Sequence, residues 1–373
     1  MPEKRKYSYL EIRHDAIGLL EISNQYTMAF DTERFTRTVA ILQGQHNDAC
    51  AARIPADNVI FLDIPSLRGL NLKAVFRLFS LCKQYRVSHL LAHRYKPAFI
   101  AGLVALLYKP NAVFAVLHGN RQFDRPGRKL AARLIFWTSN FKLIGVSQTT
   151  RADITRRLPG KSPKDIIAIP NCIDVAKTQE QLLDRQDAQK QLNIQNDRFV
   201  FGHIGRLSPA KDQLTLLRGF KAAKNQMPDS TLIIVGGGRL ETTLKDEAKR
   251  LQIDTDVIFT GPINNAWRLM KGFDCFVATS VTEGFGLVIV ESLVAKIPLI
   301  ATDIGSFNEI AGQAVDLVPC GDHIQVGNRM VELYNMPKSD RVALGNLLFQ
   351  RVQQEFSVPR FRQRIQKLYN STL

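Results

Sequence analysis

Short apolar runs alternate with longer amphipathic ones along almost the whole chain, and this alternation limits the possible folds more than any single residue does. Strand-like runs fall at 39–42, 59–62, 89–92, 112–117 and 142–146, and a second series falls at 199–204, 231–235, 257–260, 275–278 and 299–301. Most are separated by stretches long enough for a helix, the arrangement that parallel strands need for their crossovers. Between the two series lies 176–196, rich in Lys, Gln and Asp, whose bulky apolar residues are Leu182, Leu183, Leu192 and Ile194. At 373 residues the chain exceeds what one core supports, so the pattern predicts two α/β domains. The expected boundaries are 1–174, a linker with one surface helix over 175–197, a second domain over 198–355, and a closing helix over 356–373. That last segment has Ser357 as N-cap and Phe361, Ile365 and Leu368 on one stripe.

Composition narrows the class. An apolar fraction of 45% is that of a globular protein. The longest apolar run, 97–108, is well short of the roughly 20 residues that cross a bilayer. Residues 1–6 are charged and run into 7–12 without the apolar core of a signal peptide, and the five cysteines contain no CxxC pair. A reducing cytosol without a structural zinc site is the expectation.

Fifty basic residues face thirty-four acidic ones, for a net charge of +16. The segment Arg121–Lys164 holds eleven Lys or Arg against Asp124 and Asp153, a net of +9. Within it Leu130, Leu134, Trp137 and Phe141 recur at helical spacing beside Arg128, Lys129 and Arg133. Two readings fit: a stripe facing the core beneath a solvated basic face, or a basic amphipathic helix that meets an anionic membrane surface.

The strand ends of the second series carry the chemistry, since open α/β sheets bind ligands at the carboxyl ends of their strands. After 199–204 comes Gly205-Arg206-Leu207-Ser208-Pro209-Ala210-Lys211-Asp212, in which Arg206 offers a planar fork and Lys211 a mobile charge to a diphosphate. After 231–235 comes Gly236-Gly237-Gly238-Arg239, which lacks the last glycine of a dinucleotide fingerprint but suits close backbone approach to a nucleotide. After 275–278 comes Glu283-Gly284-Phe285-Gly286-Leu287-Val288-Ile289-Val290-Glu291. If a helix starts at its glycines, free N–H groups favour an anion and Glu291 can accept from a vicinal diol such as a ribose. Read alone, 287–290 is equally a buried strand. Asp254-Thr255-Asp256 has the form of a metal-binding Asp-x-Asp, yet it precedes a strand instead of ending one, and a turn is the better reading.

Taken in order, GRLSPAKD, VGGGR, VIFTG, EGFGLVIVE and ATDIGSFNEI resemble the nucleotide-sugar-binding domain of the retaining family 4 glycosyltransferases, whose fold is GT-B. In the first half, His118-Gly119, Val146-Ser147 and Ile169-Pro170-Asn171-Cys172-Ile173-Asp174 are similar too. The resemblance implies two Rossmann-like α/β/α domains facing a central cleft, the first on the acceptor side, with a C-terminal helix crossing back to the first. It implies transfer of a sugar from a UDP-, GDP- or ADP-linked donor to a glycan or glycolipid acceptor in lipopolysaccharide, capsule or exopolysaccharide synthesis. No cofactor, metal or nucleic-acid partner is implied. A cytoplasmic location is expected, with peripheral attachment to the cytoplasmic face of the inner membrane as its membrane-bound form.

Residue by residue, the resemblance puts Glu291 on the ribose and Glu283 near the transferred sugar. Backbone N–H groups around Phe285, Gly286 and Leu287 also reach that sugar. Arg206 and Lys211 lie on the diphosphate, His118 is close to the donor sugar, and 287–290 becomes part of a helix. The family's Gly-Gly-x-Glu loop reads Gly18-Leu19-Leu20-Glu21 here, so Gly18 keeps its place at the donor while Leu19 replaces the second glycine. The family's Asn-Gly turn reads Asn171-Cys172, and its late Gly-Gly reads Gly305-Ser306. A non-enzymatic nucleic-acid binder is the alternative that the charge suggests; its aromatic interleaving is sparse.

Overall fold

The computed structural model describes residues 7–17, 19–67, 69, 71–137, 140–194 and 198–373. The chain divides into two compact units, Met1–Cys172 with Val358–Leu373, and Ile173–Ser357.

The first unit is built on seven strands: β1 (Tyr7–Arg13), β2 (Phe35–Ile41), β3 (Asn58–Phe61), β4 (His89–His93), β5 (Ala112–Leu117), β6 (Phe141–Gly145) and β7 (Ile166–Ala168). All pair in parallel, in the order β3-β2-β1-β4-β5-β6-β7. Helices cover both faces of such a sheet, so its central strands are apolar without alternation, and every residue of β5 is buried. Two strands escape the sequence pattern. In β1 the charges Glu11 and Arg13 interrupt the apolar run, yet both are buried because they pair with each other. β7 is only three residues long.

The second unit carries β8 (Phe199–Ile204), β9 (Ser230–Val235), β10 (Val257–Gly261), β11 (Cys275–Ala278) and β12 (Leu299–Ala301), parallel throughout in the order β10-β9-β8-β11-β12. All ten runs read from the sequence are strands. Helices Val175–Gln181 and Arg185–Gln191 occupy the polar stretch, capped by Asp174 and Asp184, and belong to this unit. Ala188 of the latter packs under Gly272.

The basic segment differs from its sequence reading. Its helix is Pro126–Ile135, and Phe141 instead opens β6, fully buried. Ala132, Ile135 and Phe136 face the core, whereas Leu130, Leu134 and Trp137 are 61%, 71% and 49% exposed. The stripe at 130, 134 and 137 therefore faces outward, because the burial requirement is met by the other side of the helix. Part of the positive charge is internally paired: Arg156 and Arg157 with Asp153, and Lys142 and Lys161 with Asp165. The apolar run at 97–108 lies in helix Tyr95–Tyr108, and among the described residues no helix is long and apolar enough to cross a membrane.

The final helix, Val358–Asn370, completes the first unit. Tyr369 stacks on Phe30 at 4.8 Å, Phe361 meets Tyr26 edge-on at 4.8 Å, and Arg34 donates to Asn370 at 3.1 Å. Phe361 is 1% exposed. Replacing Phe361 with Ala is expected to destabilise this unit by about 3–5 kcal/mol, the usual cost of emptying a buried aromatic site. Urea unfolding followed by hydrogen exchange on Leu20–Ala29, against which the helix packs, would measure it.

Candidate active site

In the second sheet the strand order reverses beside β8: β9 and β10 lie on one side, β11 and β12 on the other. Crossovers leave in opposite directions there, and the carboxyl ends of the strands at such a reversal are where open α/β sheets form a ligand crevice. Residues 205–212 and 279–286 are the loops after β8 and β11.

Lys211, from the first loop, is ion-paired with Glu283, from the second. Ser280 adds a hydroxyl donor to the same Glu283 oxygen at 3.1 Å. The pair adds a side-chain link between two loops that the Val281 N–H already joins by donating to the Ala210 carbonyl at 2.9 Å. Arg206 is exposed and forms no ion pair among the described residues, so its guanidinium is available to an anion. The loop itself is rigid: Thr279 donates to the carbonyls of Lys211 and Asp212, at 3.2 and 2.9 Å, and Asp212 caps helix Gln213–Ala223 through Thr215 N–H.

Four residues here had no signal in the sequence: His203, Gln213, Thr279 and Ser280. His203 is buried in β8 and its Nδ1–H donates to the Val277 carbonyl at 2.9 Å, a bond that requires the proton on Nδ1. Its Nε2 then accepts from Gln213 at 3.2 Å, and Gln213 also donates to the Arg206 carbonyl at 3.0 Å. Burial pushes the His203 imidazole down to about 4, so this neutral arrangement holds across the neutral range. An isolated His in an apolar strand reads as core; only strand adjacency shows that it ties β8 to β11.

The glycine loop after β9 is explained by packing. Gly236 has φ 142°, and a Cβ there would collide with the carbonyl oxygen of Gly205. The bare backbone thus lets the loops after β8 and β9 lie directly against each other. Gly238 meets the Leu207 carbonyl in the same way.

Residues 287–290 are helical, as the resemblance implied and β propensity did not. Gly286, at φ 109°, turns the chain into helix Leu287–Val294, which begins with no side-chain cap. A parallel crossover to β12 requires a helix here, and a helix apolar nearly all round is stable when buried, as Ile289, Val290, Leu293 and Val294 are. Phe285 is 3% exposed and packs edge-on against Phe356, so its side chain anchors the turn while its backbone lines it. Glu291 lies on this helix. Burial pushes its carboxyl up to about 7, with Lys211 opposing.

The other sequence candidates lie elsewhere. His118 follows β5 in the first unit, and Gly18 lies outside the described residues. Its neighbour Leu19, in place of the glycine that the resemblance expected, adopts φ 64°, a left-handed conformation that favours glycine, directly before helix Leu20–Ala29. Asp256 precedes β10, at the edge of the sheet away from the crevice, where Arg198 and Lys224 bind it at 3.0 and 3.1 Å; it is a structural turn.

Comparison with known proteins agrees with this architecture. Residues 30–177 match the family model described as Glycosyltransferase Family 4, and residues 184–346 match Glycosyl transferases group 1. The chain belongs to the family 4 glycosyltransferases of GT-B fold. It is 35% identical over 136 residues to an uncharacterized glycosyltransferase of Methanocaldococcus jannaschii, a match spanning 36% of this chain and 33% of that relative's length. To the Escherichia coli UDP-Gal:alpha-D-GlcNAc-diphosphoundecaprenol alpha-1,3-galactosyltransferase it is 27% identical, over 68% of each chain. The crystal structure of Anabaena HepE in complex with UDP superposes with a TM-score of 0.79 at 20% identity, covering 98% of this chain and 100% of that one.

The raised carboxyl of Glu291 has a consequence for stability. An unfolded glutamate releases its proton near 4.5, whereas folded Glu291 keeps it to about 7. Between those values the native state binds the extra proton, so this group's contribution to stability falls as pH rises through that window and is level above it. Glu291→Gln is therefore expected to raise the melting temperature at about pH 8 and to change it little at about pH 4. Thermal denaturation at the two pH values checks this.

Proposed function

We propose that this glycosyltransferase moves a sugar from a nucleotide-diphosphate sugar to a glycan acceptor, retains anomeric configuration, and works without a metal ion. The observation that carries this reading is the Lys211–Glu283 pair across the crevice, with Arg206 and Glu291 nearby. Breaking the bond between the anomeric carbon and the diphosphate builds charge on the leaving phosphate. Arg206, Lys211 and the uncapped start of helix Leu287–Val294 are preorganised to take that charge, the role a metal has elsewhere.

In this reading Glu291 holds the ribose hydroxyls, and the backbones of Gly236, Gly237 and Gly238 line the nucleotide. Glu283 and the N–H groups around Phe285, Gly286 and Leu287 meet the transferred sugar, as does His118, with Gly18 on the donor from the first unit. The first unit, residues 1–174, takes the acceptor, and 198–355 takes the donor. Lys211 is ion-paired with Glu283, and in this reading the diphosphate replaces the carboxylate as its partner. No carboxylate is assigned as a nucleophile, and attack on the same face as the departing phosphate, assisted by it, accounts for retention.

The donor's nucleotide is UDP, GDP or ADP; the UDP bound by the Anabaena protein and the UDP-Gal of the E. coli relative's name favour UDP. That relative's diphosphoundecaprenol acceptor supports a lipid-linked acceptor and a role in surface polysaccharide synthesis. A screen of UDP-, GDP- and ADP-sugars, scored by nucleotide release, tests the activity. Lys211→Ala is expected to lower turnover about a hundredfold or more, the usual effect of removing one preorganised donor. Glu291→Ala is expected to raise the donor KM. Unaltered kinetics in both variants would overturn the assignment.

We also propose peripheral attachment to the cytoplasmic face of the membrane. Leu130, Leu134 and Trp137 project outward among Arg125, Lys129 and Arg133, a pairing of apolar and cationic groups suited to an anionic leaflet. The protein is expected to sediment with anionic vesicles at low salt and not with neutral ones. Leu130→Ser with Leu134→Ser should abolish sedimentation. Equal binding to nucleic acid, with its steep salt dependence, would favour the non-enzymatic alternative for this face.

A further inference from the structure

The first sheet reverses its strand order between β1 and β4, and a chain of buried polar side chains lies across that reversal. Glu11 on β1, 0% exposed, accepts four hydrogen bonds: from Tyr9 Oη at 2.7 Å, Arg13 Nε at 2.6 Å, Thr27 Oγ1 at 2.6 Å and His93 Nε2 at 3.1 Å. His93, at the end of β4, places Nδ1 3.0 Å from Nε2 of His118, just beyond β5. The remaining ring nitrogen of His118, Nδ1, is buried and has no hydrogen-bond partner among the described residues.

The proton positions along this chain follow from what each group can do. Burial works to raise Glu11, but Arg13, His93 and Thr27 hold its carboxyl down to about 2, so it is ionised and only accepts. His93 Nε2 therefore carries a hydrogen. Burial lowers the imidazole of His93, with Arg13 and Arg94 assisting and Glu11 opposing. Burial lowers His118 well below its ordinary value, with His93 and Arg94 assisting. Tyr26 faces the His93 ring edge-on at 5.1 Å and stays protonated. Both imidazoles are thus neutral and each has one N–H. With its hydrogen on Nε2, His93 Nδ1 must accept; His118 Nε2 must donate to it; and His118 Nδ1 is left as a lone pair.

We propose that Glu11 and His93 are positioning residues that fix the tautomer of His118, so that its Nδ1 presents a bare acceptor selective for a hydroxyl of the transferred sugar. The sugar part of this rests on the proposed placement of His118 at the donor; the tautomer part does not. An imidazole free to exchange tautomers would offer N–H to that hydroxyl part of the time. A buried acceptor aimed at a substrate hydroxyl rejects analogues that lack it, because the site is then left unsatisfied.

The test is nitrogen NMR on the full-length protein labelled with 15N-histidine. His93 and His118, assigned with single variants, should both appear as Nε2–H tautomers at neutral pH. Nδ1–H in His118 of the unaltered protein would overturn the proposal without any substrate. His93→Gln can rebuild the chain, its amide N–H donating to Glu11 and its carbonyl accepting from His118, whereas His93→Phe cannot. His93→Phe should mix the His118 tautomers and lower kcat/KM about tenfold with the sugar nucleotide picked by the donor screen. Affinity for UDP alone should be unmoved, and His93→Gln should restore both readouts. A His118 tautomer that His93→Phe leaves unchanged would overturn the relay. Unaltered turnover in His118→Ala, with the tautomers as stated, would remove the sugar-binding part and with it the placement of His118, leaving the relay itself standing.

Discussion

Parallel strand pairing is the constraint on which the rest depends. When all strands run one way, all their carboxyl ends lie at one edge, and every return must be made by a helix over one face. A reversal in strand order then separates two adjacent loops, and the chain has used both reversals. In the second unit the parted loops are held by Lys211 and Glu283; in the first the reversal holds Glu11, Arg13 and His93. Glu11, Arg13 and His93 are buried and satisfy one another, whereas Lys211 and Glu283 are only partly buried.

The two sets differ in how completely their charges are satisfied. Glu11 is surrounded by four donors and is fixed in one state. Around the crevice of the second unit, Arg206 is unpaired among the described residues, and Glu291 has its carboxyl raised by burial. Arg206 is solvent-exposed and Glu291 is held back from ionising, and the proposed donor offers phosphate oxygens to the cation and hydroxyls to the carboxyl. Rigid support surrounds it, from the Thr279 clamp on the Lys211 loop to the His203 tie between β8 and β11.

Much of this was legible in the linear order of residues. The apolar runs marked ten strands because strands buried on both faces need no alternation, and loop chemistry placed Arg206, Lys211, Glu283 and Glu291 at strand ends. β1 was not legible, because Glu11 and Arg13 look like solvent-facing charges until their partners are brought in from β4 and the helix Leu20–Ala29. The glycines at 236 and 238 were legible as sites of close backbone approach, but not as contacts to Gly205 and Leu207. The stripe at Leu130 and Leu134 was legible as apolar but not as outward-facing, since helical periodicity fits a core-facing and an exposed stripe equally; burial shows the second.

The sequence by itself determined the α/β class, the two series of strands and the residue types at the loop ends, because these depend on local periodicity and on side-chain chemistry. Only the tertiary structure decided that Lys211 is paired with Glu283 and which nitrogen of each histidine carries the proton. Those depend on which strands become neighbours, and so on contacts between residues as far apart as 72 positions for Lys211 and Glu283 and 82 for Glu11 and His93. Local propensity does not extend over such separations; burial and hydrogen-bond satisfaction do.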